Sequence, residues 1–183
     1  MTQKRQSTND VHIPIGKIKV IGELLIPEDA KGIVLFAHGS GSSRFSPRNQ
    51  FVAKFLREHQ LATLLIDLLT AEEDQVDQIT REMRFNIDLL AERLMGITEW
   101  LLQDARTDHL HIGYFGSSTG AAAALIAAAK KKEAISAVVS RGGRPDLADR
   151  SLSQVQAPTL LIVGGADTGV IELNQEAYDR LSC

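Results

Sequence analysis

A mostly parallel, doubly wound α/β sheet, opened by an antiparallel hairpin, is the fold class this sequence predicts. Short unbroken apolar runs recur at residues 32–37, 62–67, 110–115, 135–139 and 158–163, as expected of strands buried on both faces. Amphipathic or alanine-rich stretches of helical length separate most of them, and parallel strands need such crossovers. Residues 11–26 read differently, as two strands around the turn Pro14-Ile15-Gly16-Lys17.

The elements follow in order. Residues 1–10 are polar and predict a loose tail, leaving 11–183 as one domain. A helix is expected over 47–58, with Ser46 as N-cap, Pro47 in its first turn and an apolar face of Phe51, Val52, Phe55 and Leu56. Residues 71–84 are charged and predict a surface excursion that becomes helical. The stripe Phe85, Leu89, Leu90, Leu94, Ile97 and Leu101 marks a long amphipathic helix. Residues 118–130 form an alanine-rich helix, and 171–181 a last one. No repeat, low-complexity tract or linker interrupts them.

Composition narrows the function classes. Of 183 residues, 44% are hydrophobic and 23% charged, which is ordinary for a globular domain. The net charge of −3 offers no basic excess for nucleic acid. The single cysteine, Cys183, excludes a disulfide within the chain. Residues 1–10 lack the apolar core of a secretion signal, and the longest apolar runs fall short of the ~20 residues that span a bilayer. The expectation is a cytoplasmic protein that binds neither nucleic acid nor membrane.

Gly116-Ser117-Ser118-Thr119-Gly120 lies between an expected strand and an expected helix. G-x-S-x-G in that setting predicts a sharp turn that lifts Ser118 Oγ clear of the backbone, as a nucleophile requires. The helix N-terminus beneath it favours developing negative charge. Acyl transfer also needs amide hydrogens aimed at an oxyanion. Thr119, directly after the serine, and Ser40, in the loop His38-Gly39-Ser40-Gly41, are the candidates. Flanking glycines let that loop approach a substrate closely, and His38 is expected to hold the loop rather than act as a base. The chain has no P-loop and no G-x-G-x-x-G; Gly39-Ser40-Gly41-Ser42-Ser43-Arg44 breaks at its last position.

Residues 34–43, 113–120, 140–146 and 158–167 stand in the order, and carry the motifs, of one family. Together they resemble the dienelactone hydrolase-like branch of the α/β-hydrolases, over nearly the whole chain from about residue 11. The resemblance implies a serine or cysteine nucleophile, matched by Ser118, and an acid after a late strand, matched by Asp167, with Asp146 as runner-up. It also implies a histidine later still. None follows Asp167, and all five histidines, His12, His38, His59, His109 and His111, precede Ser118. His109 and His111 are expected at the far end of the strand from the chemistry. The last strand and helix of the family are also absent, so the reading favoured is a C-terminally truncated form, weak or inactive as it stands. A non-catalytic relative, or a histidine supplied from elsewhere, are the alternatives.

The resemblance thus implies a hydrolase of an ester, lactone or related acyl bond in a small molecule, without metal or organic cofactor. The alternative is a small-molecule-binding protein that keeps the pocket without turnover. Arg44, Arg48, Arg141 and Arg144 lie just beyond strand ends, where open α/β sheets bind ligands. Arginine pairs with carboxylates bidentately, so these four are candidate contacts for an acidic substrate. The sequence leaves the natural substrate and the oligomeric state open.

Overall fold

The computed structural model describes residues 9–183. Most of the tail expected at 1–10 therefore lies outside the described residues, and Asp10 already belongs to a strand. β1 (Asp10–Ile15) and β2 (Ile18–Leu25) pair antiparallel, Ile15 opposite Ile18, through the two-residue turn Gly16-Lys17. Gly16 has φ +58°, the left-handed conformation such a hairpin turn uses.

The other strands are β3 (Gly32–Ala37), β4 (Leu61–Ile66), β5 (His111–Ser118), β6 (Ile135–Gly143) and β7 (Thr159–Ile162). They complete a seven-stranded sheet in the order β1-β2-β4-β3-β5-β6-β7. β2 pairs antiparallel with β4, and every later pairing is parallel. This is the α/β-hydrolase architecture. The β3, β4, β5 and β6 ends that lead into loops and helices therefore share one rim of the sheet.

The helices are α1 (Pro47–Glu58), α2 (Ala71–Thr80), α3 (Ile87–Gln103), α4 (Thr119–Lys130) and α5 (Thr168–Arg180). Ser46 caps α1 by accepting from the Asn49 amide, with Pro47 in the first turn, as the sequence predicts. The excursion expected to become helical over 71–84 is helical from its first residue, as α2. Thr70 and Glu73 form a reciprocal capping box at its start, and Glu72, Glu73 and Asp74 favour its positive end. Glu73 also accepts from Arg93 at 2.6 Å, tying α2 to α3.

The main core lies on the α3 and α4 face, among Leu35, Leu64, Ile66, Leu94, Ile97, Leu101 and Tyr114, all essentially fully buried. α4 is buried from Thr119 to Ala129, which explains its composition: only small side chains let a helix pack on all sides this closely. Tyr114 Oη and Thr98 Oγ1 share a 2.6 Å hydrogen bond, and burial pushes the phenol's pKa up. A smaller cluster, Phe36, Ala53, Leu65 and Phe115, fills the α1 face.

Two expectations need correction here. Of the face expected on α1, Phe51 and Phe55 are 73% and 54% exposed, whereas Val52 and Leu56 pack as expected, with Ala53, against the sheet. Phe85 was assigned to the α3 stripe, but it ends a 3₁₀ turn (Met83–Phe85) and is exposed. No element of the described residues covers these rings, and helical spacing alone cannot show that. No helix of the described residues is long and apolar enough to cross a membrane.

Candidate active site

The turn between β5 and α4 is as sharp as the sequence predicts. Ser118 has φ +49° and ψ −126°, a conformation that side chains rarely adopt. Three glycines make room for it. A Cβ on Gly116 would lie 2.4 Å from Ala121 Cα, and one on Gly120 only 2.3 Å from the Ala37 carbonyl oxygen. A Cβ on Gly39 would lie 2.8 Å from Ser118 Cβ. The loop after β3 is thus pressed directly against the serine. Ser118 is half-buried, and its Oγ makes no hydrogen bond among the described residues.

The backbone around the elbow is anchored on its other side by β6. The register shifts between Ser117 and Ser118, so that Ser118 lies opposite Gly143. The Arg144 amide then donates to the Ser118 carbonyl at 3.1 Å. This bulge is why β6 runs on to Gly143, four residues beyond the end expected from its apolar run.

The two candidate oxyanion donors come together. The Ser40 amide donates to Thr119 Oγ1 at 3.1 Å, bridging the loop to the first residue of α4. The Thr119 amide opens that helix, where an N–H has no intrahelical acceptor. The Ser42 amide donates to the Gly39 carbonyl, closing a turn whose third residue, Gly41, has φ +71°. His38 fixes the start of the loop. Its Nε2 accepts from the Leu68 amide at 3.2 Å, so the proton sits on Nδ1, 2.9 Å from the Gly39 carbonyl. With both ring nitrogens held by backbone, His38 has none left to take a proton from Ser118.

The candidate acids differ. Asp167 is exposed immediately before α5, and its carboxylate has no partner among the described residues. Asp146 is held bidentately by Arg144, at 2.9 and 2.8 Å. His109 and His111 are exposed at the opening end of β5, away from the elbow as expected.

The four arginines separate likewise. Arg44 is buried and ion-paired with Asp67, whose carboxylate also accepts from the Arg44 amide at 2.8 Å; Asp10 lies 3.8 Å from the guanidinium. Arg144 holds Asp146. Both are already ion-paired with carboxylates of the fold. Arg141 is half-buried, donating to Asn49 Oδ1 at 3.3 Å and lying over Phe115. Arg48 is exposed. Arg48 and Arg141 line a cleft of about 390 Å³ with Phe51 and Val52.

A larger groove, about 1380 Å³, runs past the oxyanion loop and Thr119 to the hairpin and α2. Sequence reasoning did not single out its best-anchored arginine, Arg84. Arg84 Nε donates to Asp77 Oδ2 at 2.5 Å and Nη2 to the Asp77 carbonyl at 3.0 Å. The Met83 and Arg84 amides donate to Asp77 Oδ1. Burial alone would raise the Asp77 carboxyl, but these hydrogen bonds outweigh it and hold its pKa below the usual carboxylate value.

That depression fixes a pH dependence. A carboxylate with a lowered folded pKa stabilises the fold fully above its unfolded value, about pH 4, and ceases to as pH falls through the lower folded value. The stability lost in Asp77→Asn is therefore expected to be larger at pH 6 than at pH 3, as read by urea unfolding at the two pH values. An equal loss at both would mean that the carboxyl is not depressed.

Comparison with known proteins agrees with this architecture. No family model matches the chain. Two Mycobacterium tuberculosis proteins, from strains CDC 1551 / Oshkosh and ATCC 25618 / H37Rv and provisionally named phosphoribosyl transferases, are each 55% identical over 168 residues. The match takes in 92% of this chain but only 37% of theirs, so the chain spans little more than a third of the length of these curated relatives. The crystal structure of dienelactone hydrolase from Anabaena variabilis ATCC 29413 superposes with a TM-score of 0.93 at 58% identity, over 94% of this chain and 80% of that one. The Pyrococcus furiosus esterase PF2001 shares the fold at 21% identity, with a TM-score of 0.75 over 93% of this chain and 75% of that one.

The sheet order, and the strained turn at Ser118 pressed against the glycine-rich loop, are those of the α/β-hydrolase fold. At 58% identity over four-fifths of a solved relative, the chain belongs to the dienelactone hydrolase family of that superfamily.

Proposed function

We propose that this chain is a serine hydrolase domain acting on an ester, lactone or related acyl bond of a small molecule. The observation that carries the reading is Ser118 itself: a strained, half-buried serine with an unpaired Oγ, pressed against a glycine-rich loop. Such strain persists only where the surroundings over-determine it, and it concentrates at functional sites. In the reaction, Ser118 Oγ bonds to the carbonyl carbon and the carbonyl π electrons move onto oxygen. The Thr119 and Ser40 amides then donate to that oxyanion, Ser40 exchanging Thr119 Oγ1 for the substrate oxygen. Collapse of the intermediate expels the alcohol, whose oxygen takes up the proton that Ser118 gives up, and leaves an acyl-serine for water to cleave. The names of the Anabaena and Pyrococcus relatives fit this acyl chemistry. The transferase name of the longer Mycobacterium proteins belongs to chains of which most lies outside the match.

The proton from Ser118 needs an acceptor, and no histidine among the described residues bonds to it. Turnover by this chain alone is therefore expected to be weak, in the range left when one triad member is missing, ~10³–10⁴-fold over water. The same observation, together with the unpartnered Asp167, favours a second reading in which the domain binds small molecules without turning them over. Hydrolysis of p-nitrophenyl acetate with and without added imidazole separates the two. Above the rate that imidazole gives without protein, a hydrolase site gains when imidazole supplies the base, and Ser118→Ala abolishes that excess. Equal gains in both proteins would leave only the binding reading.

A further inference from the structure

One face of the sheet is covered by a single helix. The apolar cluster on it draws on β3, β4, β5 and β6, and its helical members among the described residues are Val52, Ala53 and Leu56, all of α1. Beyond α1 the cover stops. The register sets Val139 opposite Leu160 and Arg141 opposite Ile162, and residues paired across strands point to one face. Val139 packs on this cluster and Arg141 reaches Asn49 of α1, so Leu160 and Ile162 lie on the same face. They are 56% and 44% exposed, in the edge strand β7. The cleft of about 390 Å³ between α1 and Arg141 marks where the helix meets this bare floor.

The outward side of α1 is equally bare. Arg48, Phe51, Phe55 and Glu58 are all exposed, and spacings of three, four and three set them along one stripe of the helix. The stripe matches its own reverse. Turned end for end about Ala53, it brings Phe51 over Phe55 and Arg48 over Glu58. Arg48 has no partner among the described residues, and Glu58 has Lys54 alone, at 4.0 Å on the surface. The reversed pairing also sets Glu58, at the end of one helix, beside the positive N-terminus of the other. A surface that complements itself on a two-fold turn is what a symmetric dimer requires.

We infer that two copies of this chain associate through this face, with α1 of each laid antiparallel on the other and its rings over the other's Leu160 and Ile162. The inference is independent of the hydrolase reading. The exposed parts of the two rings alone come to roughly 200–300 Å² per copy. With the sheet floor and the flanks of α1, the pair buries about 1,000–1,200 Å², the low end of specific interfaces. The dimer is therefore expected to be reversible, with a dissociation constant of about 1–100 µM.

Sedimentation velocity of the intact chain, from about 1 to 300 µM, reads the association. A reductant is present because Cys183 is an exposed free thiol. The wild type is expected to pass from monomer to dimer across that range. The double variant F51S/F55S loses only exposed rings, so it is expected to fold, as thermal unfolding checks, and to stay monomeric throughout. Charge exchange tests the antiparallel register. Arg48→Glu alone and Glu58→Arg alone each set like charges together twice per dimer, and each is expected to weaken it about threefold to tenfold. The double variant R48E/E58R restores the pairs and is expected to return close to the wild-type affinity. That recovery supports the inference, because neither edge-to-edge pairing of β7 nor loose apolar association depends on these two charges. A wild type that is monomeric throughout, which leaves the face to a helix of some other protein, overturns it. So does a dimer that survives the loss of both rings, or a charge-exchanged double variant as weak as the single ones.

Discussion

Gly120→Ala is expected to destabilise the fold by more than ~3 kcal/mol, beyond the usual range for an added core methyl. Helix propensity alone gives the opposite sign. Gly120 is the second residue of α4, and alanine is favoured over glycine inside a helix by about 1 kcal/mol. Geometry decides against propensity here. The new Cβ would sit 2.3 Å from the Ala37 carbonyl oxygen and 2.5 Å from that of His38, both backbone atoms at the end of the central strand β3. Neither can swing aside as a side-chain tip could. Relief requires α4 to lift from the sheet, which opens the elbow and the oxyanion loop together. Against a typical total stability of ~5–15 kcal/mol, such a loss is decisive. Urea unfolding of the variant against the wild type measures it. A change within ~1 kcal/mol would show that helix and strand do not approach as closely as described.

Ser118→Gly is expected to do two things at once: stabilise the protein and end its chemistry. The φ of +49° and ψ of −126° cost a side-chain-bearing residue ~1–3 kcal/mol, and glycine adopts them without that penalty. Glycine's extra freedom in the unfolded chain offsets ~0.5–1 kcal/mol, leaving a net gain of ~1 kcal/mol. Ser118→Ala keeps the strain and removes only Oγ, which has no partner to lose. Its stability should stay close to wild type while any acylation disappears. The pair of variants therefore separates strain from chemistry, and a destabilised Ser118→Gly would mean that the elbow is not strained.

Much of this site is written locally. Gly116, Ser118 and Gly120 sit at a strand–helix junction, and Gly39-Ser40-Gly41 follows a buried strand; short-range pattern placed all of them, and the structure brings the two segments into contact. Thr70 and Glu73 also encode the start of α2, a capping signal three residues apart within a segment dominated by charge. The remainder depends on partners distant in the chain. Arg44 finds Asp67 and Asp10, which are 23 and 34 positions away, so its sequence neighbourhood gives no sign that it is occupied. Arg84 is placed by Asp77: the left-handed Arg81 ends α2, and the 3₁₀ turn that carries Arg84 follows, so that the guanidinium returns towards Gly41. Phe51 and Phe55 follow helical spacing correctly, but spacing specifies a face and not what covers it.

Reaction of the folded chain with an alkyl fluorophosphonate in imidazole buffer, followed by peptide mapping, bears most directly on whether Ser118 is a reactive nucleophile. The expected product is one adduct per chain, on the peptide containing Ser118, and none in Ser118→Ala. A folded protein that stays unmodified, or an adduct that forms equally well in Ser118→Ala, would contradict the account.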